Sequence, residues 1–134
     1  VTFDDSTGTA VMRVLTGRIL SVFGKGREKT RPLQIATSTA TIGIRGTGCY
    51  IEAEEARTYF CLCYGEAEVT PKGDPTQKET IRTRHHEHPI YIHAGGSRMM
   101  APATVINHTD AELIMLENSV GRWPPFYGQG NGYR

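Results

Sequence analysis

Residues 39–66 read TATIGIRGTGCYIEAEEARTYFCLCYGE, and this stretch decides the fold. β-Branched and aromatic residues dominate it, which suits a pleated, half-buried surface. The pieces Cys49-Tyr-Ile-Glu-Ala-Glu and Thr58-Tyr-Phe-Cys-Leu-Cys-Tyr-Gly flank the short loop Glu55-Ala56-Arg57. Two such runs across a short loop predict a β-hairpin. Gly43, Gly46 and Gly48 punctuate the run ahead of it. Gly46-Thr47-Gly48 is expected to bend the backbone or to let another strand pass close by.

The flanking sequence continues in the same style. Residues 1–10 are small and polar and read as a lead-in strand or arm. VMRVLTGRILSVF at 11–23 breaks at Gly17 and predicts two short strands. Residues 33–36, 39–44 and 66–70 are strand-like, and Pro71-Lys-Gly-Asp-Pro75 is a turn by composition. Residues 79–86 alternate Thr and Ile with Arg and read as a strand; Pro89 interrupts, and residues 90–93 resume one. Only one helix is signalled. Thr109 and Glu112 form a capping box, Leu113, Leu116 and Val120 recur at helical spacing, and Gly121 supplies a stop. The expected fold is all-β: a single-domain roll or jelly-roll-like sandwich over residues 1–121, with one short helix at about 110–120. An extended Pro/Gly/aromatic tail covers 122–134.

The totals narrow the function classes. The chain has 134 residues, enough for one modest core, with 38% hydrophobic and 22% charged residues. A net charge of +1 excludes the global basic field that non-specific nucleic-acid binding needs. Lys25, Arg27, Lys29 and Arg31 enclose Glu28 and read as a solvated turn. No run of about 18 apolar residues predicts a membrane span. The first residue is Val1 rather than Met, so the expectation is an exported chain whose leader has been removed.

Two clusters carry the chemistry. If Glu54 lies opposite Thr58, then Cys49 lies opposite Cys63, and Cys49, Cys61 and Cys63 share one face. A register shifted by one residue sends Cys49 to the other face, while Cys61 and Cys63 stay together. Three readings follow: a Cys49–Cys63 disulfide with one thiol left over, a soft-metal site for zinc, copper or iron, or three packed thiols. The second cluster is Arg84-His85-His86-Glu87-His88-Pro89. On a strand His86 and His88 share a face and make a chelating pair, with His85 on the other. His93 or His108 could complete a set from elsewhere, and a polar surface strand is the plain alternative. The candidate metal ligands are therefore Cys49, Cys61, Cys63, His85, His86 and His88.

No known hydrolase signature surrounds the cysteines, and the glycines at 43, 46 and 48 do not open a helix as a phosphate loop does. Nothing here assigns a catalytic residue. In the tail, Trp123, Phe126, Tyr127 and Tyr133 are candidate contacts to another subunit, or an arm folded back on its own domain.

The string Thr39-Ala-Thr-Ile-Gly-Ile-Arg-Gly-Thr-Gly48 resembles the FecR domain, named for the periplasmic sensor of iron-citrate uptake. The cysteine hairpin that follows is similar to a cysteine-bearing branch of that family. The resemblance covers residues 11–70 well and the rest loosely. It implies an all-β domain outside the cytoplasm, periplasmic or extracellular. Transducers of this kind also carry an anti-sigma segment and a membrane helix, neither of which this sequence contains. Three functions compete: a non-enzymatic binding or assembly module, a metal- or redox-cofactor-binding protein, and a structural subunit of a homo-oligomer or filament.

Overall fold

The alternating pattern of residues 40–71 forms two long strands, β5 (Ala40–Ala53) and β6 (Arg57–Pro71), on which the other elements are assembled. A computed structural model describes residues 2–4, 10–24 and 33–127. The hairpin closes through the two residues Glu55-Ala56. Ala53 lies opposite Thr58, and the Glu54 N–H donates to the Arg57 carbonyl at 3.0 Å.

The remaining strands are β1 (Thr2–Asp4), β2 (Ala10–Arg13), β3 (Gly17–Val22), β4 (Leu33–Ala36), β7 (Glu79–Thr83), β8 (Ile90–His93) and β9 (Met100–Pro102). Toward the open end of the hairpin, β4 pairs with β5 and β7 with β6. Toward its loop, β3 pairs with β5 and β8 with β6, and β9 extends β8. β2 lies parallel to β4 and antiparallel to β1; every other pairing is antiparallel.

The expected bend is present. The β5–β6 register slips between Arg45 and Gly48 and again between Gly48 and Cys49, and the odd-for-even exchange keeps one face inward on both sides of this irregularity. Ala40, Ile42 and Ile44 face the core before it, and Cys49, Ile51 and Ala53 after it. The glycines permit the approach. A Cβ on Gly65, at φ +102°, would sit 2.6 Å from the Gly46 carbonyl oxygen, and one on Gly48 would sit 2.5 Å from the Tyr64 ring.

The two halves of the sheet bury the same face. Ile35, Ile42, Ile51, Phe60, Leu62, Val69 and Ile92 belong to one cluster and have 3% or less of their surface exposed. At about 1.5–3 kcal/mol for each large side chain, this rolled interior is the main stabilising element. The outer face near the hairpin loop forms a second cluster of Tyr50, Tyr59, Cys61, Cys63 and Tyr64. Leu113 of the helix α1 (Asp110–Ser119) and Phe126 cover it.

The helix starts as expected, with both halves of the Thr109/Glu112 capping box formed. Gly121 ends it at φ +77°. The expected apolar stripe is corrected. Leu113 is buried, but Val120 is 57% exposed, and the other buried residue is Glu117. The Tyr64 hydroxyl donates to Glu117 Oε2 at 2.6 Å, and Arg122 pairs with Oε1 at 2.8 Å, so polar ties supplement the packing of Leu113 and Ile114.

The architecture is thus all-β with one short C-terminal helix. Among the described residues, no helix is long and apolar enough to cross a membrane. The strand expected to reach His86 stops at Thr83, and His86 takes a left-handed φ of +54°. His86 and His88 therefore do not share a strand face. Residues 122–127 fold back on the domain. Phe126 is buried against Tyr64 and is unavailable to a partner, while Trp123 and Tyr127 stay exposed. Tyr133 lies outside the described residues.

Candidate metal centre

The two-residue loop fixes which thiols meet. Its register pairs Cys49 with Leu62, not Cys63, so the expected cross-strand disulfide does not form. Cys49 points into the rolled interior. There burial, with the charge of Cys61 adding, pushes its thiol up to about 12. It packs as a small apolar group and leaves the candidate ligand set. Cys61 and Cys63 share the outer face, and all three cysteines are free.

Two histidines meet these thiols. Cys61 Sγ lies 3.3 Å from His86 Nδ1, and Cys63 Sγ lies 3.4 Å from His108 Nε2. The two ring nitrogens are 3.3 Å apart. All four donor atoms lie within 4.8 Å of one another. An ion bonded at about 2.3 Å to sulfur and about 2.05 Å to nitrogen would set tetrahedral nitrogen–nitrogen edges near 3.3 Å and sulfur–nitrogen edges near 3.6 Å. The three close contacts, at 3.3, 3.4 and 3.3 Å, lie near these edges. A two-iron cluster divides the thiolates and the imidazoles between different irons. Here each imidazole is against a thiol.

The outer contacts fix both rings. His86 Nε2 is 2.8 Å from Asp110 Oδ1, and His108 Nδ1 is 2.7 Å from the Ile106 carbonyl. Each acceptor sits where it can take the ring's outer N–H, which orients the inner nitrogen toward the thiols. The backbone serves the same end. His86 N–H donates to the Cys63 carbonyl at 2.9 Å. His86 and Asn107 are the described non-glycine residues with positive φ, at +54° and +56°. Strain of this kind persists where the surroundings enforce it, here at one candidate ligand and beside another.

The segment carrying His108 is tied down from β5 and β6. Tyr50 stacks on His108 at 4.5 Å, and the Tyr59 hydroxyl donates to the Thr104 carbonyl at 2.6 Å. Asn107 Nδ2 and the Tyr50 hydroxyl both donate to Glu52 at 2.6 Å. Burial works to raise the Glu52 carboxyl, but these two bonds prevail and hold it below the ordinary carboxylate value.

Proton sharing leaves one thiol ready. The hydrogen bond from Cys63, with His108 and His86 adding, pulls the Cys61 thiol down to about 4 against the effect of burial. Burial first, then the neighbouring Cys61 thiolate, pushes the Cys63 thiol up. For His86, burial opposes the charge, but the Cys61 thiolate and Asp110 outweigh it and raise its pKa. A cation between the four donors would replace this shared proton.

The remaining candidates fall outside the set. His85 Nε2 is 2.9 Å from Asp110 Oδ2, so it shares the carboxylate that holds His86. His88 is exposed. A surface cavity of about 480 Å³, lined by His85, His86, His108, Thr109 and Asp110, leads from solvent to the imidazoles. The larger cavity, about 560 Å³, is bordered by Arg45, Glu66, Arg82 and Glu87, and its charges partly pair with each other, Arg82 to Glu66 at 2.7 Å. It holds no thiol or imidazole. His108 is 45 residues from Cys63, and the only local sign of it was its place beside the Thr109 helix cap.

No family model matches this chain, and no curated protein matches it. Solved structures do. Two crystal structures of a candidate anti-sigma factor from Parabacteroides distasonis superpose with TM-scores of 0.52 and 0.51, at 13% and 14% identity. The alignments cover 74% and 78% of this chain but only 44% and 54% of theirs. At this identity the likeness is one of fold.

Proposed function

We propose that this chain is a non-enzymatic, FecR-like β domain that holds one zinc-class ion between Cys61, Cys63, His86 and His108. The carrying observation is the closed donor set: two thiols and two imidazoles within 4.8 Å, with each imidazole's outer nitrogen already given an acceptor. Four protein ligands leave no open position for substrate, so the ion is structural or regulatory. The fold shared with the candidate anti-sigma factors and the FecR-like string at 39–48 support a regulatory binding module that works in the periplasm or outside the cell. Cobalt substitution tests the centre. The expected result is one cobalt per chain, with thiolate-to-cobalt charge-transfer bands that disappear in Cys61→Ser. Substoichiometric metal after reconstitution, or unchanged bands in that variant, would sink the reading.

A second reading, assembly with other subunits, draws on one observation. Trp123 and Tyr127 lie 4.2 Å apart and are 57% and 44% exposed. Replacing both with Ala is expected to lower the mass in solution; a monomer before and after removes the idea.

A further inference from the structure

The four donors come from three separate pieces of chain. Cys61 and Cys63 lie on β6, His86 lies on the connection from β7 to β8, and His108 lies on the segment that leads into α1. Asp110, the first residue of α1, holds His86. An ion here therefore joins the sheet to everything that covers its outer face.

That cover's other fastenings are individually weak and spread along it. α1 fully buries Leu113 and Glu117, with Ile114 half-buried against the same cluster, and its exposed side carries Met115 at 63% and Val120 at 57%. A helix with so narrow a buried stripe gains little from packing, which normally supplies most helical stability in proteins. The other ties are scattered along the segment: Tyr64 to Glu117, Tyr59 to the Thr104 carbonyl, Asn107 to Glu52, Tyr50 stacked on His108, Phe126 against Tyr64, and Ala103, Ile106 and Ile114 half-buried on the outer cluster. The rolled interior, in contrast, includes none of the four ligands. The sheet can lose the ion and keep its core; the cover cannot lose it and keep its main fastening.

We propose that the ion acts as a latch on residues 103–127. With it bound, the cover lies on the outer face; without it, the cover opens locally while the rolled sheet stays folded, and Tyr50, Tyr59 and Tyr64 become accessible. This rests on the metal reading above and assigns that ion a regulatory role. Opening of one cooperative unit below the global unfolding threshold is how such segments ordinarily move.

Hydrogen exchange on the full chain, loaded with one zinc and then stripped with a chelator, tests the latch. Stripping is expected to cut the protection of amides in 110–119 by about tenfold or more, with the central amides of β5 and β6 unchanged. The double variant Cys61→Ser, Cys63→Ser should show the stripped pattern with or without zinc. Equal loss across β5 and β6 would make the ion a staple of the whole fold and overturn the proposal. Unchanged exchange in 110–119, with zinc measured at one per chain before stripping, would overturn the latch and leave the metal centre standing. If elemental analysis finds no zinc on the loaded chain, both fall together.

Discussion

β6 has two faces that meet opposite needs. Phe60 and Leu62 point into the rolled interior, where they have no polar atom to satisfy and every contact depends on shape. Tyr59, Cys61 and Cys63 point outward into a layer that mixes apolar cover with polar atoms, and each of these three has a polar partner there. One face is held by exclusion of water. The other is held by directed bonds to residues 25 to 45 positions away. An interior of the first kind tolerates a similar shape; a layer of the second kind tolerates only the right atoms.

Substitutions can break that contrast. The largest effect belongs to the outer face. His108→Ala should abolish stoichiometric zinc under chelator competition while the sheet's circular dichroism persists; structural zinc binding contributes about 10–16 kcal/mol in small domains. Phe60→Ala is the inner counterpart. It should cost about 3–5 kcal/mol in urea unfolding and leave one zinc on each folded chain. If Phe60→Ala empties the site at low denaturant, the two faces are not independent.

Smaller effects sharpen the division. Asp110→Ala removes the acceptor behind His86 but no ligand, and should weaken zinc affinity about 10–100-fold by competition titration. Cys49→Ala should cost only about 1 kcal/mol and leave zinc content unchanged, and the unfolded, chelated wild type should show three titratable thiols. Loss of zinc in Cys49→Ala would place that thiol on the wrong face. The smallest effect is that of pH. Glu52 has a folded pKa below its unfolded one, so the stability it lends is present above the ordinary carboxylate value and fades as the pH falls through the lowered one. The difference in unfolding midpoint between wild type and Glu52→Gln should shrink on going from about pH 6 to about pH 3.

Much of the fold was written in local patterns. The hairpin and the Thr109 cap each depend on a few adjacent residues and are where the pattern placed them, while the break expected at Gly17 falls at residues 14–16 and Gly17 opens β3. The register was not local in this sense. Glu54 opposite Thr58 and Ala53 opposite Thr58 differ by one loop residue, and only the second moves Cys49 inward. The sharing of a face by Cys61 and Cys63 survived because it depends on alternation within one strand. His86 was visible as part of a cluster, but its partner was not His88, because the strand stops at Thr83. His108 belonged to no cluster in the sequence; the segment after β9 carries it to the thiols, where it stacks on Tyr50.

The contact between Gly48 and Tyr64 also bears on how such sequences can drift. A single added carbon at 48 would overlap the Tyr64 ring at 2.5 Å, and that ring's hydroxyl holds the helix through Glu117. The two positions are therefore not free to vary separately. Chains that keep this helix contact should keep glycine at 48 with a large ring at 64, and chains with a side chain at 48 should carry a small residue at 64 and a different partner for Glu117.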